Sequence, residues 1–358
     1  MAARHTRPVR PSAPPPYRQS WAKFVQLILL LLLGWGWGQA MAAAPPRGDE
    51  LIDLTSEHYR NLFAELGTAH DFSEKELSRL FTGLRVNPQV LRLIDLPGEA
   101  KPYHAYRRLF INAKSIAAGR NSLSVRRELF DRIEAHFGVN REVIVAIWAI
   151  ESRFGTNTGG FALFQSLNTL FDRYPRRAEF FRSELIEFLL LCRANGFDPL
   201  KVKGSYAGAF GQAQFMPSSF NRHAVDFDGD GTIDLFGSLP DIFASIANYL
   251  AHFGWTLDSP LYAELGDQLR SAELEEALRQ GRAGLVEWQV VARTQNLPLV
   301  VPPLGKPLVI VALERSPRQG GGLRYVAGYP NFQTITAYNH SNKYAMAVSE
   351  LSEALTEP

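Results

Sequence analysis

Cysteine is nearly absent from this 358-residue chain. The single Cys192 cannot form an intrachain disulfide, and alone it cannot supply a cysteine-based zinc site. Net charge is also scarce: 38 Lys and Arg against 36 Asp and Glu leave +2. Even that surplus is local. Residues 1–43 hold Arg4, Arg7, Arg10, Arg18 and Lys23 and no acid, so the remainder has 33 bases against 36 acids. A mildly acidic body of this kind carries no electrostatic footprint for nucleic acid. Long apolar runs are missing too. The run Phe24–Leu33 stops at Gly34, short of the ~20 residues that a spanning helix needs. Hydrophobic residues at 46% and charged residues at 21% exclude a disordered or fibrous chain, and the length allows two or three domains.

The basic stretch, the apolar run and the small residues of Ala40-Met-Ala-Ala-Ala44 together read as an export signal. Cleavage would fall after Ala42 or Ala43; the alternative is a signal anchor that is retained. With no cysteine near that junction, a lipoprotein anchor is chemically excluded. The rest of the chain is expected in a compartment outside the cytoplasm.

From Asp53 onward the pattern is mainly helical. Ser73-Glu-Lys-Glu76 forms a capping-box signature ahead of Leu77, Leu80, Phe81 and Leu84. Leu123–Phe137, Arg177–Arg193 and Asp241–His252 show helical apolar spacing, with Cys192 on the apolar face of the second. After Trp255 the composition becomes β-branched over Leu285–Val291, Pro307–Leu313 and Leu323–Gly328, which predicts strands around a short helix at Glu273–Gln280. Asn342–Leu355 reads as a helix again.

One helix is apolar on every face. In Asn140-Arg-Glu-Val-Ile-Val-Ala-Ile-Trp-Ala-Ile-Glu151, the residues from Val143 to Ile150 predict burial all round, and Glu151 follows at the C-terminal end. Desolvation and the negative pole of the helix both disfavour its charged form and raise its pKa, which suits a general acid. The alternative is a structural pair with a base such as Arg153. A second segment, Lys203 to Ser219, combines Gly204, Gly208 and Gly211 with Ser205, Gln212 and Gln214 and the rings of Tyr206, Phe210 and Phe215. Close backbone approach, neutral polar groups and stacking faces suit a sugar; the same residues also suit a glycine-rich turn into a capped helix.

A third segment, Asp226-Phe-Asp228-Gly-Asp230-Gly231-Thr232-Ile-Asp234, fits positions 1, 3, 5, 6, 7 and 9 of an EF-hand calcium loop. Position 12 breaks the pattern: it is Gly237 where a bidentate Glu is expected, and the nearest later carboxylate is Asp241. A solvated acidic turn held by Asx bonds is the competing reading.

Glu151-Ser-x-x-Gly155 followed by Gly211-x-x-Gln214-Phe-Met-Pro-Ser-Ser219 resembles the lytic murein transglycosylase B family of the lysozyme-like superfamily. Tyr174-Pro-Arg-Arg-Ala-Glu179, the aspartate loop and Tyr338-Asn-His-Ser-x-x-Tyr344 also resemble that family, in the same order, over about Leu51 to Leu355. The resemblance implies a mainly α (α+β) fold: an N-terminal helical region (44–110), a lysozyme-like helical core (111–254), a small β-containing module (255–332) and a C-terminal segment (333–358) returning to the core. It implies cleavage of the β-1,4 bond between N-acetylmuramic acid and N-acetylglucosamine in peptidoglycan, leaving a 1,6-anhydromuramic end. Glu151 would be the single acid/base, with the muramic acetamido group stabilising the positive centre. No second carboxylate is then required, although Asp172 and Glu179 are available in what reads as a solvated helix start. Ser205, Gln214, Tyr106, Tyr338, Asn339 and Tyr344 match cleft residues, Gln214 and Asn339 bonding the acetamido groups or Glu151.

By the same likeness the acidic loop is lengthened and closed by an aspartate. The expected ligands of a structural calcium ion are Asp226, Asp228, Asp230, Asp241 and the Thr232 carbonyl. No organic cofactor is expected. The expected partners are peptidoglycan glycan strands, with the cell-wall synthesis machinery as a further one, and the protein is expected to be a periplasmic monomer. The competing functions are a hydrolytic muramidase, a non-catalytic peptidoglycan-binding scaffold and a calcium-dependent adhesion module.

Overall fold

The computed structural model describes residues 50–95 and 101–356, so the export segment of residues 1–43 lies outside the described residues. Four helices open the described chain: α1 (Glu57–His70), α2 (Glu74–Phe81), α3 (Pro88–Ile94) and α4 (Tyr103–Tyr106). Ser73 starts α2 as its sequence predicts. Its Oγ accepts from the Glu76 amide at 3.3 Å while Glu76 Oε2 accepts from the Ser73 amide at 2.8 Å, satisfying two donors at the helix end. Tyr59, Leu62 and Leu66 of α1 lie on one face and are fully buried.

The central body contains α5 (Ala113–Val125), α6 (Arg127–Phe137), α7 (Arg141–Ser152), α8 (Leu163–Arg173), α9 (Ala178–Ala194), α10 (Pro217–His223) and α11 (Leu239–His252). The two-residue strands β1 (Phe161–Ala162) and β2 (Lys203–Gly204) pair between them. The single helix expected over Leu123–Phe137 is divided at Arg126, whose φ of −122° and ψ of 28° leave the helical region. The division serves two partners. α5 packs on α7 and on the C-terminal helix, where Gly119 admits Leu355 so closely that a Cβ would sit 2.5 Å from Leu355 Cδ2. α6 instead turns to α11, stacking Phe130 on Phe243 at 4.9 Å. Cys192 is buried on α9, as its apolar neighbours predict, and burial pushes its thiol up to about 12.

The last third adds β3 (Tyr262–Gly266), α12 (Ala272–Gln280), β4 (Leu285–Val286), α13 (Trp288–Gln295), β5 (Leu308–Glu314) and β6 (Leu323–Gly328). The sheet is antiparallel in the order β3-β6-β5-β4. β5 is buried on both faces: Val309, Val311 and Leu313 join the main core, while Leu308 and Ile310 join a smaller cluster with Leu274, Val291 and Tyr329. The strand expected over Leu285–Val291 is a correction, because only Leu285 and Val286 are strand and a helix begins at Trp288. Val291 is fully buried from that helix, and Gln295 locks it by bonding the carbonyls of Leu265 at 3.1 Å and Gln268 at 2.9 Å. Tertiary packing overrides the β preference of valine here. The chain then forms α14 (Pro330–Tyr338) and α15 (Asn342–Thr356), and α15 lies along α7. With α5, α6 and α11 on its other sides, α7 is buried from Val143 to Ile150 without a break.

Candidate active site

The end of α7 is built to stop just past Glu151. Ser152 Oγ donates to the Trp148 carbonyl at 3.1 Å and accepts from the Gly155 amide at 3.1 Å. Arg153, Phe154 and Gly155 then take left-handed backbone angles in succession, with φ of 50°, 58° and 80°. Non-glycine residues adopt this region only at a cost. The turn reverses the chain and leaves the Glu151 carboxyl uncovered by any following helical turn. Arg153 is exposed, and among the described residues no ion pair reaches Glu151, so the expected alternative of a Glu151–Arg153 pair is not what forms.

Glu151 instead meets a phenol. Tyr344 Oη, at the first turn of α15, donates to Glu151 Oε1 at 2.6 Å. Burial pushes the Glu151 carboxyl up to about 7, and the Tyr344 bond pulls it partly back. Tyr344 and Tyr338 are both held well above the ordinary tyrosine range by burial and by the Glu151 charge, so each remains a donor. Tyr338 Oη donates to the Ala213 carbonyl at 2.6 Å, tying α14 to the glycine-rich segment. Its ring lies 5.7 Å from Phe215 and 4.8 Å from Tyr249. Tyr106 is buried, packs on Phe110 at 5.2 Å, and lies close enough to Tyr344 to perturb its phenol.

The glycine-rich segment packs against the loop after α7. At Gly159 a Cβ would come within 2.2 Å of the Gly204 carbonyl, so this contact demands glycine. Gln214, itself left-handed at φ 50°, donates Nε2 to the carbonyls of Thr158 at 3.1 Å and Gly211 at 2.8 Å. Of its two expected partners, the acetamido groups or Glu151, the second is not bonded to it among the described residues. Ser205 closes the turn, its Oγ accepting from the Ala209 amide at 3.0 Å. Asn339 is exposed at the C-terminus of α14, and no side-chain bond joins it to the described residues. The structure thus brings Glu151, Tyr338, Tyr344 and Tyr106 together, sets Gln214 and Ser205 in the glycine-rich segment that Tyr338 joins, and leaves Asn339 exposed.

Gln212 is the residue whose role sequence reasoning missed. It reads as a sugar-facing amide, yet both ends of its side chain are occupied within the protein. Trp148 Nε1 donates to its Oε1 at 2.7 Å, and its Nε2 donates to the Phe236 carbonyl at 2.6 Å. Gly155 presses on it so closely that a Cβ there would be 2.3 Å from Oε1. Gln212 is a strut between α7 and the segment that follows the acidic loop. A glycine four residues after Glu151, with φ of 80°, was the available signal.

The other carboxylates stand apart. Asp172 lies on the last turn of α8, paired with Arg173 at 2.7 Å, and not at a helix start as the sequence reads. Glu179 is exposed on the first turn of α9.

In the acidic loop, Asp226, Asp228 and Asp230 each place a carboxylate oxygen within 4.8 Å of the others. Asp226 is held by the amides of Gly229 at 2.7 Å and Gly231 at 2.9 Å, and the Thr232 amide donates to Asp230 Oδ1 at 2.8 Å. Among the described residues no base pairs with these three, so their mutual repulsion is relieved by no protein cation. Such a group of hard oxygens fits a divalent cation of the calcium type. Asp241, the aspartate expected to close the loop, lies near enough to Asp228 to feel its charge. It stands outside the group and fully buried, with Oδ1 accepting from the Phe227 amide at 2.8 Å and Oδ2 from the Asp234 amide at 2.9 Å. Those two amide bonds tie it to both ends of the loop.

A family model described as the transglycosylase SLT domain matches residues 55–353. Membrane-bound lytic murein transglycosylase B of Escherichia coli is 34% identical over 301 residues, 80% of this chain and 79% of that protein. The crystal structure of soluble lytic transglycosylase SltB1 from Pseudomonas aeruginosa superposes with a TM-score of 0.73 at 34% identity, covering 82% of this chain and 97% of that one. Escherichia coli lytic transglycosylase Slt35 in complex with calcium gives 0.74 at 33% identity, covering 86% and 96%. A domain match over almost the whole described chain, and relatives that share its length, place the protein in the lytic murein transglycosylase family of peptidoglycan-cleaving lyases.

Proposed function

We propose that Glu151 alone carries the acid and base steps of peptidoglycan cleavage. The observation behind this reading is a carboxyl pushed up to about 7, bonded at 2.6 Å to a neutral phenol, with no second carboxylate beside it among the described residues. A carboxyl poised near neutrality is protonated in a large share of molecules and is ready to give its proton to the glycosidic oxygen. The C1–O4 bond breaks with that transfer, and the new Glu151 carboxylate keeps the Tyr344 bond, which is stronger to a charged acceptor. Glu151 then takes the proton of the muramic C6 hydroxyl while O6 bonds to C1. No water is consumed and the carboxyl ends protonated, as it began. Enzymes that hydrolyse the same bond with a carboxylate pair need a second acid near the sugar; the pairing of Asp172 with Arg173 supports the single-acid reading.

Tyr106, Tyr338 and Tyr344 wall the sugar sites in this reading, and Ser205, Gln214 and Asn339 offer neutral hydrogen bonds from the opposing side. A calcium ion bound by Asp226, Asp228, Asp230, Asp241 and the Thr232 carbonyl would neutralise the loop and fix its shape. The ion in the Slt35 structure supports this assignment. Residues 1–43 serve as the export signal that carries the enzyme to the peptidoglycan of the periplasm. Among the described residues no helix is long and apolar enough to cross a membrane.

Digestion of purified murein sacculi followed by mass spectrometry tests the reaction. Lytic products are lighter by one water than hydrolytic ones, so reducing ends alone would convert the assignment to a muramidase. Glu151→Gln is expected to abolish turnover while retaining the fold; unchanged turnover removes Glu151 from its role. An inert wild-type enzyme would favour the scaffold reading.

A further inference from the structure

α4, the neighbouring ends of β5 and β6, and α15 line a half-open cavity of about 400 Å3. Tyr103, His104, Arg107, Arg315, Arg324 and Glu350 line it. It belongs to the same elements as the catalytic wall. Tyr103 and Tyr106 share one helical turn, and Lys343, which precedes Tyr344, reaches Glu314 at 3.2 Å on the cavity's rim. Glu350 lies six residues beyond Tyr344, about 9 Å along α15.

The charges in this cavity do not cancel. Glu350 is bonded by Arg107 at 2.7 Å and Arg324 at 2.5 Å, and Arg324 also pairs with Glu264. Burial pushes Glu350 up, but these bonds outweigh it and hold the carboxylate below its usual range. Glu314 is engaged by Lys343 and by the Tyr103 amide at 2.9 Å. Each of those cations therefore has its carboxylate. Arg315 has none among the described residues, although it is half-buried in the lining.

Two polar atoms in the wall are also unsatisfied. Tyr103 is 3% exposed and its Oη completes no hydrogen bond of normal geometry, with Glu350 and Arg107 near it; Nδ1 of His104 is buried without a partner. A buried donor left unpaired costs of the order of 1–3 kcal/mol, which a ligand acceptor recovers. The Tyr103 phenol is held far above its ordinary range by burial and the Glu350 charge, so it stays a donor. A guanidinium fork without a partner, a buried phenol donor and the apolar side of Leu313 match a small carboxylate-bearing group. The volume suits a ligand the size of an amino acid or dipeptide.

Peptidoglycan presents that chemistry on every muramic residue, as the free carboxylates of its peptide stem. We propose that this cavity is a subsite for a stem-peptide carboxylate, with Arg315 as its anion-binding residue and Tyr103 as its neutral donor. The assignment rests on the chain acting on peptidoglycan, and it makes stem-bearing strands better substrates than bare glycan.

The test compares initial rates on intact sacculi and on glycan strands stripped of stems by an amidase. Arg315→Ala is expected to raise KM about 10-fold on stem-bearing strands with kcat retained, the factor for one lost interaction of this strength. On stripped strands it should match the wild type. Tyr103→Phe, which removes only the hydroxyl, should show the same substrate dependence with a smaller factor. Free stem tripeptide should compete on stem-bearing strands, whereas inorganic phosphate at equal concentration should not. Equal effects of Arg315→Ala on both substrates, or none on either, overturn the proposal. Equal competition by phosphate also overturns it, by revealing a general anion site. If the wild type releases no anhydro ends from either substrate, it is the peptidoglycan reading that fails.

Discussion

Replacing Tyr344 by Phe removes one hydroxyl from the site and nothing from its shape. In the folded enzyme that hydroxyl donates to Glu151 Oε1 at 2.6 Å and is what draws the carboxyl down against burial. A hydrogen bond to a charged group contributes about 1.5–3 kcal/mol, and one pKa unit corresponds to about 1.4 kcal/mol. Loss of the bond should therefore raise the Glu151 pKa from about 7 by roughly one to two units. In the proposed reaction the protonated acid is the starting form, so the alkaline limb of kcat against pH is expected to move upward by the same amount. The plateau should fall, because the carboxylate formed on proton donation has lost its partner; the same energy corresponds to roughly 10- to 100-fold in rate. The assay is release of anhydro-ended muropeptides from sacculi over about pH 5 to about pH 9, the range that brackets this titration. An alkaline limb that stays in place, or moves to lower pH, would refute the placement of the proton on Glu151.

Stability carries the same signature with its own sign. Glu151 has a folded pKa of about 7 against 4.5 for an ordinary glutamate, so the native state binds more protons and loses stability as pH rises between them. Glu151→Gln should match the wild type in urea unfolding below pH 4.5 and exceed it by about 3 kcal/mol at pH 8. A chelator should lower Tm in a way that added calcium reverses, with saturating ion contributing about 2.7 kcal/mol at one hundred times Kd. Asp228→Asn should blunt that response in differential scanning fluorimetry. Gln212→Ala breaks the bonds to Trp148 and the Phe236 carbonyl, and should lower stability by about 2 kcal/mol and kcat more than KM, with a shift in tryptophan fluorescence.

Elements governed by local pattern were legible in the sequence. The unbroken apolar stretch from Val143 to Ile150 allows only a helix surrounded by others, and a carboxyl at its end inherits that desolvation. Ser73 and Glu76 define a helix start between themselves. What depends on partners distant in the chain was not legible. Val290 and Val291 look like strand residues until the smaller core claims Val291 from a helix. Gln212 and Asp241 advertise polar atoms without saying whether those atoms face a ligand or a backbone amide. The family resemblance brought Tyr344 to the cleft, but its bond to Glu151 spans 193 residues and no local pattern encodes it.

That span sets the order in which the enzyme comes alive during synthesis. A growing chain makes α7 and its carboxyl before midway, yet the helix that covers α7 and supplies Tyr344 is made last. Until α15 docks, Glu151 has no phenol and one side of the most apolar helix lies bare. Non-local closure of this kind is slow. A chain interrupted anywhere before Tyr344 therefore lacks the completed site and exposes the apolar surface that chaperones and proteases act on. For an enzyme that cuts the wall of its own cell, the activity is withheld from every incomplete copy.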